Sequence, residues 1–168
     1  MPILGIIASQ ISGHLVTGSY ESIATTTLTS SQSSVVFSSI PSTYKHLQIR
    51  AIYETTNIDN IGITLNGSTA QTRSHFLYGF GASAGAGDTT SNWFTVQAGT
   101  SSTTFYAMVI DILDYADTNK YKTARILSGV DFNGSGCVAL SSSYYATTSA
   151  VSSLSIQPAG GNNFTQYS

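Results

Sequence analysis

Apolar and polar residues alternate along most of this chain, which is the pattern of β-strands with one buried face. The clearest case is residues 46–55, whose apolar face is predicted to comprise Leu47, Ile49, Ala51 and Tyr53. Further strand signals occupy residues 20–28, 34–38, 61–66, 73–80, 92–97, 104–113, 123–132, 136–142, 151–157 and 164–167. The pattern predicts an all-β fold, an antiparallel two-sheet sandwich that is jelly-roll-like, with no helix longer than two turns.

Turn signals separate these strands. The dipeptides Asn66-Gly67 and Asn133-Gly134 predict tight turns, because both residue types tolerate a positive φ. Residues 81–91 are rich in Gly, Ala and Ser and predict a flexible loop, without the Lys-Ser/Thr ending of a phosphate-binding loop. Residues 104–113 form the most apolar segment, which predicts a central strand with both faces covered. The charge-rich residues 114–122 predict a loop.

The same alternation predicts the core and the domain organisation. The predicted core comprises Leu47, Ile49, Ala51, Tyr53, Ile63, Leu65, Val109, Ile112, Leu113, Ile126 and Leu154. A chain of 168 residues has room for one sandwich and little for a second domain, so we expect a single domain over residues 17–168.

Residues 1–16 predict an apolar arm ahead of that domain. They contain no Lys, Arg, Asp or Glu, and the apolar run is too short for a secretory signal or for the about 20 residues that span a bilayer. Uncovered apolar surface is an aggregation liability, so the arm is expected to pack against another chain. The alternative is an edge strand of its own domain. The expected interface residues are Ile3, Leu4, Ile6, Ile7, Ile11 and Leu15.

Composition supports an assembly component. Ser and Thr account for 49 of the 168 residues, whereas there are only 6 Lys and Arg and 8 Asp and Glu residues. Soluble domains are usually about one quarter charged, so this surface is suited to being covered by other copies or other proteins. The net charge of −2, with no basic stripe, argues against sequence-independent nucleic-acid binding. A single cysteine excludes an internal disulfide and a Cys-rich zinc site.

Candidate catalytic and metal-binding residues are few. His14, His46 and His75 share no motif and no nucleophile elbow accompanies them, so we expect no catalytic residues and no cofactor. His46 lies opposite the apolar face of its strand and is expected to be exposed or at an interface.

An acidic group provides a weak metal candidate. Asp114, Asp117 and Asn119 offer oxygen ligands of the kind calcium prefers, although Lys120 and Lys122 could neutralise the carboxylates, and the two aspartates could instead form Asx turns. Asp111 lies within an apolar strand, where a buried carboxylate would need a partner such as Arg125 or Arg50.

Three aromatic residues suggest a sugar-binding site as a further candidate. Trp93, Tyr144 and Tyr145 could form a sugar-stacking platform, as in carbohydrate-binding jelly rolls. Core packing or a subunit interface is the alternative, because aromatic residues dominate both.

Several segments, taken together, resemble a family of small virion structural proteins of tailed bacteriophages, common in aquatic phages. They span nearly the whole chain, and they are Met1-Pro-Ile-Leu-Gly-Ile-Ile-Ala-Ser, Tyr20-Glu-Ser-Ile-Ala24, Phe37-Ser-Ser-Ile-Pro-Ser-Thr-Tyr-Lys-His-Leu-Gln-Ile-Arg50, Val109-Ile-Asp-Ile-Leu-Asp-Tyr-Ala116 and Phe164-Thr-Gln-Tyr-Ser168. Family members continue past Gln-Tyr-Ser with a short apolar strand, whereas this sequence stops at Ser168. Members have been described as capsid decoration, tail or fibre components.

The resemblance implies a non-enzymatic virion protein, with no nucleic-acid or membrane partner. Its first expectation is a capsid decoration (cement) protein on the capsid surface, a homotrimer that binds the major capsid protein lattice and stabilises the head. One alternative is a tail, baseplate or fibre component with an adaptor or receptor-binding role. A carbohydrate-binding module is the alternative from a different class.

Overall fold

A computed structural model describes residues 20–68, 72–91, 94–96, 104–131 and 135–168. Ten strands and no helix occupy these ranges. The strands are β1 Val35–Phe37, β2 Leu47–Tyr53, β3 Ile61–Leu65, β4 Thr72–Phe80, β5 Ser83–Ser91, β6 Phe94–Val96, β7 Tyr106–Leu113, β8 Lys122–Asp131, β9 Gly136–Tyr145 and β10 Leu154–Pro158. The all-β prediction is therefore confirmed. Within the same ranges, no helix is long and apolar enough to cross a membrane.

The strands form two antiparallel sheets that face each other. One sheet has four strands in the order β1-β10-β3-β6, and the other has six in the order β2-β7-β8-β9-β4-β5. Without the β8–β9 hairpin, the order would be that of an eight-stranded jelly roll, so the hairpin widens one sheet of that fold by two strands. Consequently the larger sheet extends beyond the smaller one.

The core lies between the sheets, where the inward residues of each strand meet. Strand β7 shows the pattern, since Tyr106, Met108, Ile110 and Ile112 are buried while the alternate residues are not. The four-stranded sheet contributes the fully buried Ile61, Ile63 and Leu65 of β3. The predicted core residues Leu47, Tyr53, Ile63, Leu65, Ile112, Ile126 and Leu154 are buried, and Ile49 and Ala51 pack against them half-buried.

Two predicted core residues face the other way. Val109 and Leu113 share the outward side of β7 with Asp111 and are only half-buried. The expectation that both faces of this strand are covered is therefore wrong for the single chain. The physical reason is that Asp111 belongs to the same alternating set, and a carboxylate in the core would lose its hydration without a matched partner.

Two predictions of local structure are wrong: one predicted strand is not a strand, and one predicted loop is a strand. Residues 20–28 are predicted to form a strand, but residues 20–27 lie exposed without a ladder. The described pairing begins at the half-buried Leu28, whose N–H donates to Ser168 O at 3.0 Å. Conversely, residues 83–91 form strand β5, not a flexible loop. Glycine suits this strand because a Cβ at Gly85 or Gly87 would lie 2.7 Å from the rings of Tyr78 and Phe76 on β4. The aromatic rings cover the glycine backbone and complete the hairpin.

The tight turn after β3 is as predicted. Asn66 and Gly67 have φ values of 54° and 59°, and Ser68 N–H donates to Leu65 O at 3.0 Å. Asn66 also fixes a neighbouring segment, because its Oδ1 accepts from Ser152 N–H at 2.8 Å and its Nδ2 donates to Ala150 O at 2.8 Å. The second predicted turn lies outside the described residues, although β8 and β9 pair on either side of it.

Candidate interaction surface

The side of the six-stranded sheet that faces away from the core, here called the outer face, carries a line of exposed or half-buried aliphatic residues. The ladder pairings place Val109, Leu127, Leu140 and Leu77 side by side on β7, β8, β9 and β4, and we call these four residues the aliphatic row. Leu127, Leu140 and Leu77 are 52%, 55% and 60% exposed. Arg50 on β2 and Ala86 on β5 end the row at the two edges of the sheet.

A second line of small and apolar residues lies next to the aliphatic row. It runs from Ile52 through Ala107, Gly129, Val138 and Gly79 to Ala84. Ile52 and Val138 are 66% and 56% exposed. The two lines together form a contiguous apolar patch across all six strands. Scattered exposed apolar side chains are ordinary, but a contiguous patch of this extent marks an interaction surface.

The charged residues of this face concentrate on the other side of the aliphatic row. This polar row consists of Gln48, Asp111, Arg125, Ser142, His75 and Asp88. The predicted Asp111 ion pair is wrong: among the described residues, no ion pair includes Asp111. Its carboxylate instead accepts from Gln48 Nε2 at 2.7 Å, and Gln48 Oε1 accepts from Arg50 Nε at 2.6 Å. Asp111 is only half-buried, so it does not need the ion pair that a carboxylate in the core would need.

The described chain begins at the margin of this face. The guanidinium carbon of Arg50 lies 5.4 Å from the centroid of the Tyr20 ring, within the range of a cation–π contact. Tyr20 itself is 72% exposed. The expected arm of residues 1–16, with Ile3, Leu4, Ile6, Ile7, Ile11 and Leu15, lies outside the described residues, as does His14.

The calcium candidate is occupied by lysine side chains. Asp114 binds Lys45 at 2.9 Å and Lys120 at 2.5 Å, and the hydrogen bond from Lys120 is the main reason that its pKa falls to about 2. Asp117 Oδ1 accepts from Asn119 N–H at 2.7 Å, which is the expected Asx turn and lowers the Asp117 pKa. Among the described residues, no group of three or more His, Cys, Asp or Glu side chains is arranged to hold a metal ion.

Lys122 lies close enough to Asp117 and Asp114 for their charges to act on it, but among the described residues it forms no direct ion pair with either. Its side chain is fully buried, and its Nζ donates to the backbone carbonyls of Asp117, Lys120 and Thr148. Desolvation by burial lowers the Lys122 pKa. Three carbonyl dipoles replace the lost hydration, so Lys122 ties the loop after β7 to the segment after β9.

The two described histidines lie at different parts of the large sheet, His46 just before β2 and His75 on β4. His46 is exposed, as expected, and its Nδ1 accepts from Asp114 N–H at 2.9 Å, whereas His75 lies in the polar row. An apolar cavity of about 350 Å³ lies beside Ile49, Phe37 and Phe164. The described residues that line it include no His, Cys, Asp or Glu, so it offers no acid–base pair.

The exposed aromatic pair in the structure differs from the predicted platform of Trp93, Tyr144 and Tyr145. Tyr145 is buried, and its hydroxyl donates to Leu65 O at 2.8 Å, while the side chain of Trp93 lies outside the described residues. Tyr144 instead stacks on Tyr121, with ring centroids 6.2 Å apart and an interplanar angle of 16°. Both of these rings are exposed, by 37% and 55%.

This chain was compared with known protein families, curated proteins and solved structures. No family model, no curated protein and no solved structure matches this chain.

Proposed function

We propose that this protein is a non-enzymatic structural component of a bacteriophage particle, and that its main role is to decorate and stabilise the capsid. The observation that carries the assembly role is the contiguous apolar patch on the outer face, where Leu127, Leu140 and Leu77 are each more than half exposed. The sequence segments that resemble phage virion proteins support the particle assignment. The major capsid protein lattice is the proposed partner.

The physical basis of the role is burial of surface that a free monomer leaves in water. Each large aliphatic side chain that is moved from water into an interface contributes roughly 1.5–3 kcal/mol when it is fully buried. The few charged residues of the outer face are confined to its polar row and edges, so covering the apolar patch desolvates little charge. A protein of this kind adds contact area between shell subunits and thereby resists internal genome pressure.

Particle labelling tests this proposal directly. Phage particles that carry a small epitope fused after Ser168 are purified, and the epitope is located by gold-labelled antibody and counted by quantitative mass spectrometry against the major capsid protein. A capsid protein gives label over the head and a copy number of hundreds. Label confined to the tail, with a copy number of tens or fewer, supports the tail alternative, and absence from purified particles contradicts a virion role.

The stacked pair Tyr121 and Tyr144 favours a second candidate function, which is glycan binding. Two exposed, nearly parallel rings at one end of the large sheet suit stacking against a sugar ring. A glycan array with the isolated protein, compared with a Tyr121→Ala and Tyr144→Ala double variant, tests this candidate. A signal that depends on both rings would support it, whereas equal signals from the two proteins would contradict it.

A further inference from the structure

We propose that the outer face of the six-stranded sheet binds the same face of a second copy, about a two-fold axis that runs nearly parallel to the strands between β8 and β9. This inference goes beyond the proposed function, because it assigns the outer face to a second copy of the chain. Contact with the capsid lattice would then use the other surfaces of the dimer, and the pairing holds for any assembly that contains the protein. It is an alternative to the homotrimer expected from the sequence.

The aliphatic row is complementary to itself under this symmetry. The six strands are numbered from one edge to the other as β2, β7, β8, β9, β4 and β5, so the axis places the third strand over the fourth and the second over the fifth. Leu127 then meets Leu140 of the other copy, and Val109 meets Leu77. Every member of the row is matched with an aliphatic partner, which is the property that an isologous interface requires.

The charged residues are also compatible with this axis. In the polar row, Asp111 lies opposite His75 of the other copy, Asp88 opposite Gln48, and Arg125 opposite Ser142. No like charges meet in that row. An axis perpendicular to the strands would instead place the polar row over the line of Ile52 and Val138, so that Asp111 and Arg125 would lose hydration against apolar residues. Charge complementarity therefore selects the axis parallel to the strands.

The size of the face suits a stable dimer. The five spacings between the six strands, at about 4.8 Å each, give a width of about 24 Å, and about 8 residues at about 3.3 Å each give a length of about 26 Å. The face therefore covers roughly 600 Å² in projection. The accessible surface of a corrugated face exceeds its projection, and a standard interface buries about 800 Å² per partner. Two sheets stacked in an aligned way are a common packing, with strands about 30° apart.

Mass measurement is the first test. Light scattering and sedimentation velocity of the full chain are expected to give twice the 17.7 kDa chain mass at micromolar concentration. Leu127→Asp and Leu140→Lys are each expected to weaken dimerisation at least about thirty-fold, the effect of losing a central contact. An equimolar mixture of the two variants is expected to recover a heterodimer, because the carboxylate introduced into one chain meets the ammonium introduced into the other.

Cross-linking tests the axis and does not depend on those charged variants. Val109→Cys and Leu77→Cys proteins, mixed and treated with a bismaleimide matched to the about 10 Å between packed sheets, are expected to form a covalent dimer. Val109→Cys alone is not, because its two copies lie three strand spacings apart, about 14 Å laterally. The unsubstituted chain is the control, since Cys137 is buried and burial raises its pKa.

The outcomes separate this inference from the proposed function. A monomer, a trimer, an unchanged mass for Leu127→Asp, or cross-linking of Val109→Cys with itself overturns the two-fold pairing, whatever the particle labelling shows. A dimer with the expected cross-link supports it, even if the protein is absent from phage particles.

Discussion

Ile126 and Leu127 are adjacent on β8, yet Ile126 is 1% exposed in the core and Leu127 is 52% exposed on the outer face. One peptide unit therefore separates a residue that holds the sandwich together from a residue of the proposed contact surface. This alternation lets the six-stranded sheet serve two purposes, because substitutions on the outer face leave the core packing in place.

Substitution of these two neighbours should give opposite results. Ile126→Ala is expected to lower the free energy of unfolding by about 2–5 kcal/mol, because it leaves a cavity in the core. Leu127→Ala is expected to change it by no more than about 0.5 kcal/mol for the monomer, as is usual at exposed sites. Urea denaturation at submicromolar concentration provides the measurement. Equal losses from the two variants would contradict the assignment of faces on β8.

Strand β7 shows where alternation alone fails to predict a face. Both of its alternating sets of residues are mainly apolar. The alternation alone therefore cannot tell whether the set that contains Ile110 or the set that contains Val109 faces the core. The side chain that decides is Asp111, since its carboxylate keeps its whole set out of the core. That signal is present in the sequence, and it would have assigned Val109 and Leu113 to the outer face.

Other features depend on contacts that no local pattern contains. Strand β5 is built from weak strand formers, and it exists because Phe76 and Tyr78 cover its glycines from β4. The aliphatic row likewise depends on the register between four strands. The alternation within each strand does not predict that register. The sequence therefore predicts the fold class and most of the core, while the interaction surface requires the assembled sheet.

Lys122 should be a stabilising residue despite its buried charge. Lys122→Met is expected to lower the free energy of unfolding by about 2–3 kcal/mol, because three buried carbonyls lose a charged donor. Lys120→Met is the matched control, since the Lys120 ammonium lies at the surface, and the change is expected to be smaller. Thermal denaturation of both variants at pH 7 provides the measurement. A Lys122→Met protein as stable as the native chain would show that these carbonyls are satisfied by other donors.

Acid should remove the contribution of Asp114. Its pKa in the folded protein is about 2, lowered chiefly by the hydrogen bond from Lys120 and also by Lys45. Because the unfolded value is higher, at about 3.9, the carboxylate stabilises the fold above that pH, and the contribution is lost as the pH falls toward 2. The native chain should melt above Asp114→Asn at pH 6, and the two should converge near pH 2. A constant difference across this range would contradict the ion-pair assignment.

Metal removal should leave the fold unchanged. The oxygens of Asp114 and Asp117 that could bind calcium are engaged with Lys45, Lys120 and the Asn119 backbone. We therefore expect the same melting temperature with EDTA and with millimolar calcium. Asp117→Ala, which removes one candidate ligand, serves as the comparison. A drop of more than several degrees in EDTA for the native chain alone would restore the calcium hypothesis.

Deletion of residues 1–16 should separate folding from assembly. Among the described residues, Leu28 and Val35 are the earliest whose side chains pack against the hydrophobic core, so the shortened chain is expected to retain its melting temperature. The removed residues carry six Ile and Leu side chains and no Lys, Arg, Asp or Glu, and each of the six forfeits roughly 1.5–3 kcal/mol if it is left in water when it could be buried. The described chain begins beside Arg50 at the margin of the outer face, and about 16 extended residues reach roughly 50 Å from there.

That reach exceeds the width of the sheet and permits contact with a neighbouring subunit or the shell beneath. The shortened protein is therefore expected to decorate purified particles at reduced occupancy, measured by mass spectrometry against the major capsid protein. A variant with Ile3, Ile6, Ile7 and Ile11 changed to Ser keeps the length of the arm. It should show the same loss of occupancy, because burial of the apolar side chains, and not the length of the arm, holds the protein on the particle. Full occupancy for both variants would make the arm an internal edge segment, and retention on particles would then rest on the body of the sandwich alone.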